Sequence, residues 1–515
     1  MVSTKVLGLL TAVSLVVSSP LNKKAVIDDC LFAASVPYNE KGSSQWEADG
    51  SPFNVRIPYV PVSIAVPLNT EHIQAAVKCG RDNGVKVTPK CGGHSYANFG
   101  FGGEDGHLML ELDHMYNVTL DNATGIATVQ AGSRLGHVAS ELYKQGGKAI
   151  SHGTCPGQRV GSAGHVLHGG YGMSSHTKGL ALDWLVGAKV VLANSTVVIA
   201  SEAENADLFW ALKGAGSSLG VASEFYFKTF DAPQQATNFL AVLQWDSQKS
   251  IDEFKVLQDW AEEEMPRELN MRLFITPRFT NLEGMFYGNK TGLQDILDPL
   301  LTKLGGKLTT SQTTDWFGNL QHFGNGLALD QKDTYKKASF FLGLTHCRLA
   351  NSHQQENFYS SSLYTDKLSD DQIESFVNYW YGAGKALKRD WWVQVDLHGG
   401  KNSAITAIPA NSSAYAHRDK LLLYQFYDRV DLSATYPEDG FSFLQGFRAN
   451  TTLGMEPGEQ GMYFNYPDPN MEQDEAQTKY WGDNLARLQE IKAAVDPTEV
   501  FYFPQSVRPA TPVEH

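Results

Sequence analysis

The chain has 515 residues, 42% of them hydrophobic, with 10 Trp, 26 Phe and 21 Tyr, which supplies a core and excludes global disorder. At roughly 150 residues per domain this is two to four domains. Lys and Arg (42) against Asp and Glu (56) leave a formal charge of −14, and without a basic cluster to follow a phosphate backbone, nucleic-acid binding is excluded.

Met1 to Lys5 is followed by the apolar run Val6 to Val17 and then Ser18-Ser19. A positive start, a run shorter than the ~20 residues of a membrane span and small residues after it predict a signal peptide over residues 1–19. The expectation is a secreted, extracellular protein without a membrane anchor, an anchor being the competing reading. Six sequons, at Asn117, Asn122, Asn194, Asn289, Asn411 and Asn450, fit an exported glycoprotein. Five cysteines (Cys30, Cys79, Cys91, Cys155, Cys347) are an odd number, so at least one lacks an internal disulfide partner. No Cys-X-X-Cys or His-Glu-X-X-His spacing occurs, and no metal site is expected.

From Ile57 to Phe230 short β-rich runs alternate with helical ones. Val62–Val66 reads as a strand, and Asn69 caps a helix with Ile73, Ala76 and Val77 on one face. Val85–Val87 runs into the loop Gly92-Gly93-His94-Ser95-Tyr96. Strands are expected at 107–112, 127–130, 190–192 and 197–199. The block 207–225 reads as a short helix, a glycine-rich turn holding Gly220 and a strand from Val221. From residue 234 the texture changes: amphipathic stretches at 251–265, 293–304 and 370–387 separate aromatic strand-like runs at 391–397 and 421–427. That is an α+β pattern, helices covering an antiparallel sheet. A helix is expected over 474–495, stopped by Asp496-Pro497. The expected division is 20–232, 233–473 and a closing segment 474–515.

Two loops carry a nucleophilic side chain among small residues: His94 in the first, and Cys155 in Ser151-His152-Gly153-Thr154-Cys155-Pro156-Gly157. Glycine lets backbone approach a bulky cofactor, and consecutive amides can cradle phosphate. A turn histidine and a buried thiol or disulfide half are the competing readings. Gly161 to Gly172, with Gly164, His165, Gly169 and Gly170, is the expected cradle for a pyrophosphate and ribityl chain. On a strand, Trp392, Gln394 and Asp396 face one side together, and Gln425 lies on a second such strand. A buried carboxylate there needs a partner; a solvent-facing polar edge is the alternative.

These loops, the block 207–225 and Met462-Tyr463-Phe464-Asn465-Tyr466-Pro467-Asp468 resemble the vanillyl-alcohol-oxidase superfamily of flavoproteins, in its berberine-bridge-enzyme-like branch. Residues 99–113 and 398–404 resemble the secreted fungal oligosaccharide oxidases of that branch, over about Cys30 to Val507. The resemblance implies a discontinuous FAD-binding domain, to which the closing segment returns, and a separate substrate domain. It also implies FAD attached through His94 and Cys155, and a Cys30–Cys79 disulfide; Cys91 and Cys347 stay unassigned. Cofactor contacts are expected from Gly92, Gly93, Ser95, Gly153, Thr154, Gly164, His165, Gly169, Gly170, Gly220, Val221 and Asn465.

By the same resemblance Tyr466 is the general base, and Asp396 accepts a hydrogen bond from its hydroxyl. A phenol titrates near 10 and a nearby carboxylate raises that value, so proton loss is expected to accompany hydride departure. Tyr96 and Trp392 would stack on sugar rings, while Gln394, Gln425 and Tyr463 bond hydroxyls. Phe274 stands where a glucose-preferring relative has an acidic residue, which favours a sugar with less to satisfy there. The implied activity oxidises the anomeric hydroxyl of β-1,4-linked xylo-, cello- or chito-oligosaccharides to a lactone, with O2 reduced to H2O2 by a monomer. An oxidase of aromatic secondary metabolites, or a non-catalytic glycan-binding relative, is the alternative.

Overall fold

The computed structural model describes residues 20–158, 160–324, 329 and 355–511; the proposed signal segment and Cys347 lie outside them. Two sheets build the N-terminal part. Four strands in the order Tyr38–Asn39, Ser63–Ala65, Leu108–Glu111, Val87–Lys90 form the first, the last three parallel. The second has five antiparallel strands, Val118–Asp121, Ile126–Gln130, Val221–Lys228, Leu185–Val191 and Val197–Ser201. Asn69 caps the helix Thr70–Asp82 by accepting the His72 amide, and Ile73, Ala76 and Val77 are buried. This helix is tied to Pro20–Ala33 by the disulfide Cys30–Cys79; Cys91 is a free thiol.

A seven-stranded antiparallel sheet forms the second half, in the order Gly306–Thr314, Ala236–Leu243, Thr280–Phe286, Leu269–Ile275, Asp390–Leu397, Leu422–Val430, Asn357–Thr365. Alternation divides its faces. Met271, Leu273, Ile275, Trp391, Val393, Val395, Tyr424 and Phe426 pack under Phe254, Leu257 and Trp260 of the helix Ser247–Glu263 and Phe443 and Phe447 of Asp439–Thr451. Arg272, Phe274, Trp392, Gln394, Asp396, Gln425 and Tyr427 therefore point the other way, towards the N-terminal half.

Two expected helices are interrupted. Residues 474–495 form Gln473–Trp481 and Leu485–Val495, because Gly482 turns the chain at φ +45°, a conformation that favours glycine. The helix beginning at Asp370 is regular only to Tyr379 and continues as a π-type turn over Trp380–Gly384; the Gly384 carbonyl is taken by Trp391 Nε1 at 3.0 Å.

The closing segment packs on the N-terminal half: Trp481 Nε1 donates to Gly214 O (3.1 Å) and Lys492 Nζ to Ser218 O (2.6 Å). In the other direction residues 53–56 reach the second sheet. Val55 N and Glu356 N donate to Glu356 O and Phe53 O, Arg56 Nε donates to Phe358 O at 2.8 Å, and the Arg56 guanidinium lies over the Tyr359, Tyr436 and Phe441 rings. Among the described residues no helix is long and apolar enough to cross a membrane.

Candidate active site

The strand Val87–Lys90 delivers the chain into the His94 loop. Lys90 is buried and ion-paired with the equally buried Glu111, so the charge entering the loop is neutralised beneath it. Gly93 then turns the chain at φ +66°. Beyond it the His94 ring stacks on Phe53, 4.5 Å between centroids.

Gly92, Gly93, His94, Ser95 and Tyr96 form one wall of a long cleft of ≈ 1780 Å³ counted to its open mouth, and Gly153, Thr154, Cys155, Gly164, His165 and Gly220 another; Arg272, Glu356, Trp392, Tyr463, Asn465 and Tyr466 reach it from the other half. The walls meet closely: a Cβ on Gly161 would lie 2.4 Å from Gly92 N and 2.5 Å from Cys91 Sγ. Cys155 is half-buried on this wall.

Three expected cofactor residues, Gly169, Gly170 and Val221, do not line the cleft. Gly169 and Gly170 turn the chain behind it at φ +121° and +83°. Val221 opens a buried strand and pairs with Val191.

What holds that glycine turn is Tyr463. Its hydroxyl accepts the Gly170 and Tyr171 amides, both at 3.0 Å, and Asn465 Nδ2 at 2.9 Å; Asn465 Nδ2 also donates to His165 O. With three donors on its oxygen, Tyr463 is an anchor between the halves rather than the open sugar contact expected from sequence. Its carbonyl accepts the Tyr466 amide at 2.8 Å, which sets the second tyrosine relative to the first.

Tyr466 is half-buried, stacked on Tyr96 (5.8 Å, 14°) and edge-on to Tyr463. Its hydroxyl is held well above 10 by burial first and then by the Asp396 charge, with Arg272 pulling the other way. Asp396 and Tyr466 are electrostatic neighbours; among the described residues the hydrogen bond expected between them is not formed, and Asp396 Oδ2 accepts Gln394 Nε2 at 2.6 Å. Burial pushes the Asp396 carboxyl up to about 7, against Arg272 and the Gln394 bond. This carboxylate is thus poised between its forms near neutrality, unlike an exposed one.

Gln394 faces Gln425 across the strand pair and Phe274 on its other side. Gln425 Nε2 donates to Tyr96 Oη at 3.0 Å, and the carbonyl oxygens of both glutamines are buried without a partner. Trp392 lines the cleft, with one face laid on Tyr427 at 3.9 Å. Phe274 is 2% exposed in the same aromatic group, with Phe53, Phe358 and Tyr427.

Sequence reading missed Phe53, Arg272 and Glu356, all of which line the cleft, as does His168 within the expected 161–172 cradle. The alternation that selects Phe274 also selects Arg272, two residues before it; the others carry no local signal. A dinucleotide fits these walls. The cleft is long, glycine-faced and apolar at Phe99, Leu167 and Phe464, and it presents two imidazole nitrogens, His165 Nε2 and His168 Nε2, buried without partners. Burial holds those rings neutral, lowered to about 3 and about 4, so they can bond a cofactor without adding charge.

Fold and cleft together define a FAD-binding oxidoreductase. Residues 61–201 match the FAD binding domain family and residues 462–508 the berberine and berberine-like family. The chain is 47% identical to the xylooligosaccharide oxidase of Thermothelomyces thermophilus over 97% of its own length and 98% of that protein's. The glucooligosaccharide oxidase of Sarocladium strictum is also 47% identical, over 97% and 98%. The solved xylooligosaccharide oxidase of Myceliophthora thermophila C1, in complex with xylobiose, superposes with TM-score 0.89 over 94% of this chain and all of that one, at 47% identity. The chain belongs to the FAD-linked oligosaccharide oxidases.

Replacing Tyr463 with Phe would strand two buried amides, at about 1–3 kcal/mol each. Tyr463→Phe is expected to lower thermal stability and bound flavin together; scanning calorimetry and the flavin-to-protein absorbance ratio check this, and a variant normal in both would remove the anchoring role.

Proposed function

We propose that the chain is a secreted, monomeric oxidase of reducing-end β-1,4-linked oligosaccharides, taking the anomeric C1 hydroxyl to a lactone that hydrolyses to the aldonic acid. The observation that carries this reading is Tyr466, a phenol on the cleft wall with the buried Asp396 carboxylate behind it. When bound, FAD supplies the acceptor for the C1 hydride and passes the electrons to O2, leaving H2O2. Because a phenol held above 10 is not ionised beforehand, Tyr466 would take the O1 proton as the C–H bond breaks while giving up its own phenolic proton towards Asp396 in the same step. Asp396, ionised above about 7, would be the acceptor of that second proton. The unpartnered carbonyls of Gln394 and Gln425 orient the sugar. Tyr466→Phe is expected to keep flavin content but slow flavin reduction at least ~100-fold, measured by stopped flow; turnover at the original rate would assign another base.

His94 and Cys155 would hold the cofactor. Both line the cleft, and the glucooligosaccharide oxidase of Acremonium strictum, 46% identical with TM-score 0.87 over 94% of this chain and 99% of that one, carries a 6-S-cysteinyl, 8α-N1-histidyl FAD. Acid precipitation should give a yellow, fluorescence-quenched pellet whose flavin peptides contain both residues, and His94→Ala or Cys155→Ala should each retain attached FAD. A colourless pellet rejects the attachment; flavin on His94 alone rejects the second link.

Relatives named for xylose and for glucose oligomers are equally similar, at 47%, so identity does not rank substrates. Phe274 does. Its ring lies beside Gln394 on the cleft-side face, and a sugar hydroxyl left unpaired against it would cost about 1–3 kcal/mol. Xylobiose is expected to yield peroxide at least as fast as cellobiose; a roughly hundredfold preference for cellobiose would reject this.

Export is supported by exposed asparagines at the sequons Asn117, Asn122, Asn194, Asn289 and Asn411. Asn450 differs, since its Nδ2 donates to Gly446 O and its Oδ1 accepts Ser375 Oγ, both at 2.8 Å.

A further inference from the structure

Behind Asp396 a row of charges crosses three strands of the large sheet. Arg272 pairs in register with Asp396 on one side and with Glu283 on the other, so all three side chains leave the same face at cross-strand spacing, about 5 Å apart at Cβ. All are buried: Glu283 is 4% exposed, Arg272 2% and Asp396 1%. The guanidinium thus has a carboxylate on either hand, and it has chosen one. Arg272 Nε donates to Glu283 Oε1 at 2.7 Å, with Nη2 at 2.5 Å from the same oxygen. Among the described residues Arg272 forms no ion pair with Asp396, whose hydrogen bond comes instead from the neutral Gln394 amide.

We propose that Glu283, one strand beyond the cleft wall, is a positioning residue for proton transfer: by holding Arg272 it keeps that cation off Asp396 and preserves Asp396 as the basic partner of Tyr466. The inference rests on the base assignment above. A carboxylate in close ion pair with arginine is stabilised in its charged form and becomes a weaker base, so free choice for Arg272 would weaken the site. The remaining groups facing Asp396 are Tyr466 and Tyr463 from the 462–468 segment and Tyr171 from the glycine turn. All three are phenols held neutral by burial, so the ionic balance around Asp396 is set by Arg272 and Glu283. Consistent with this, Glu283 acts on the Asp396 carboxyl in the same upward direction as burial, and Arg272 in the opposite one.

Asp396 works as a base only when ionised, so flavin reduction should rise with pH through its titration. In the purified holoenzyme, Glu283→Gln frees Arg272 to close on Asp396, and the midpoint of that rise is expected to move about one pH unit or more to the acid side. The protonated-carboxyl infrared band, identified by its loss in Asp396→Asn, should titrate with the same shift; this readout does not depend on turnover. Glu283→Asp keeps the charge and should stay near the original midpoint. A midpoint for Glu283→Gln that stays within about 0.3 unit of the original would overturn the proposal. Should Glu283→Gln not fold, the double variant Glu283→Gln/Arg272→Gln, which leaves no unpaired partner, decides: the nearer cation is lost, so an alkaline shift is expected, and no shift or an acid one overturns it. If Tyr466→Phe reduces flavin at full rate, the base assignment itself fails; if that variant is slow while Glu283→Gln shifts nothing, only the role of Glu283 is lost.

Discussion

The Tyr463 hydroxyl, taking the Gly170 and Tyr171 amides, is the contact on which the rest of the site depends. The tyrosine comes from the segment beside the large sheet, and the amides belong to the glycine turn of the opposite half. Glycine at φ +83° gives the turn its shape, but shape alone leaves two amides buried without an acceptor, and a buried amide without one is costly. One phenol settles that cost and fixes the distance between the halves. Tyr466 follows three residues later with its own amide on the Tyr463 carbonyl, so the proposed base is positioned by the joint that closes the cleft.

The large sheet converts a two-residue repeat into a division of labour. One face is a hydrocarbon layer beneath helices that include Ser247–Glu263 and Asp439–Thr451; the other carries Arg272, Phe274, Gln394, Asp396 and Gln425. Polar groups on that face are buried as deeply as the core, and several lack partners. Such groups are costly in a protein that only needs to fold, and their concentration around Tyr466 is what distinguishes a reaction chamber from a second core.

Much of this was legible in the sequence because it is local. The alternation Trp392, Gln394, Asp396 is a property of one strand, and the Asn69 cap is a property of four residues. The glycines flanking His94 announce their loop for the same reason. What stayed hidden is pairwise across the chain. No local pattern indicates that Glu283 sits beside Arg272, since strand order in a sheet is decided by packing. Tyr463 reads equally well as a substrate contact until its acceptor role on Gly170 is seen. The hydrogen bond expected between Asp396 and Tyr466 came from resemblance, and the bond that Asp396 does accept comes from Gln394, two residues away on the same strand. Gly482 and the Trp380–Gly384 turn broke helices whose apolar spacing ran straight through them.

The crossing made by residues 53–56 has a consequence for how the chain is born. Arg56 finds its acceptor, Phe358 O, 302 residues further on, and Lys86 closes on Glu499 O across 413. At about 5–20 residues per second, the ribosome needs roughly fifteen seconds to a minute to deliver the first of these partners. The opening strands must wait that long with their clasp undone, so the last-made stretch decides when the first-made one is finished.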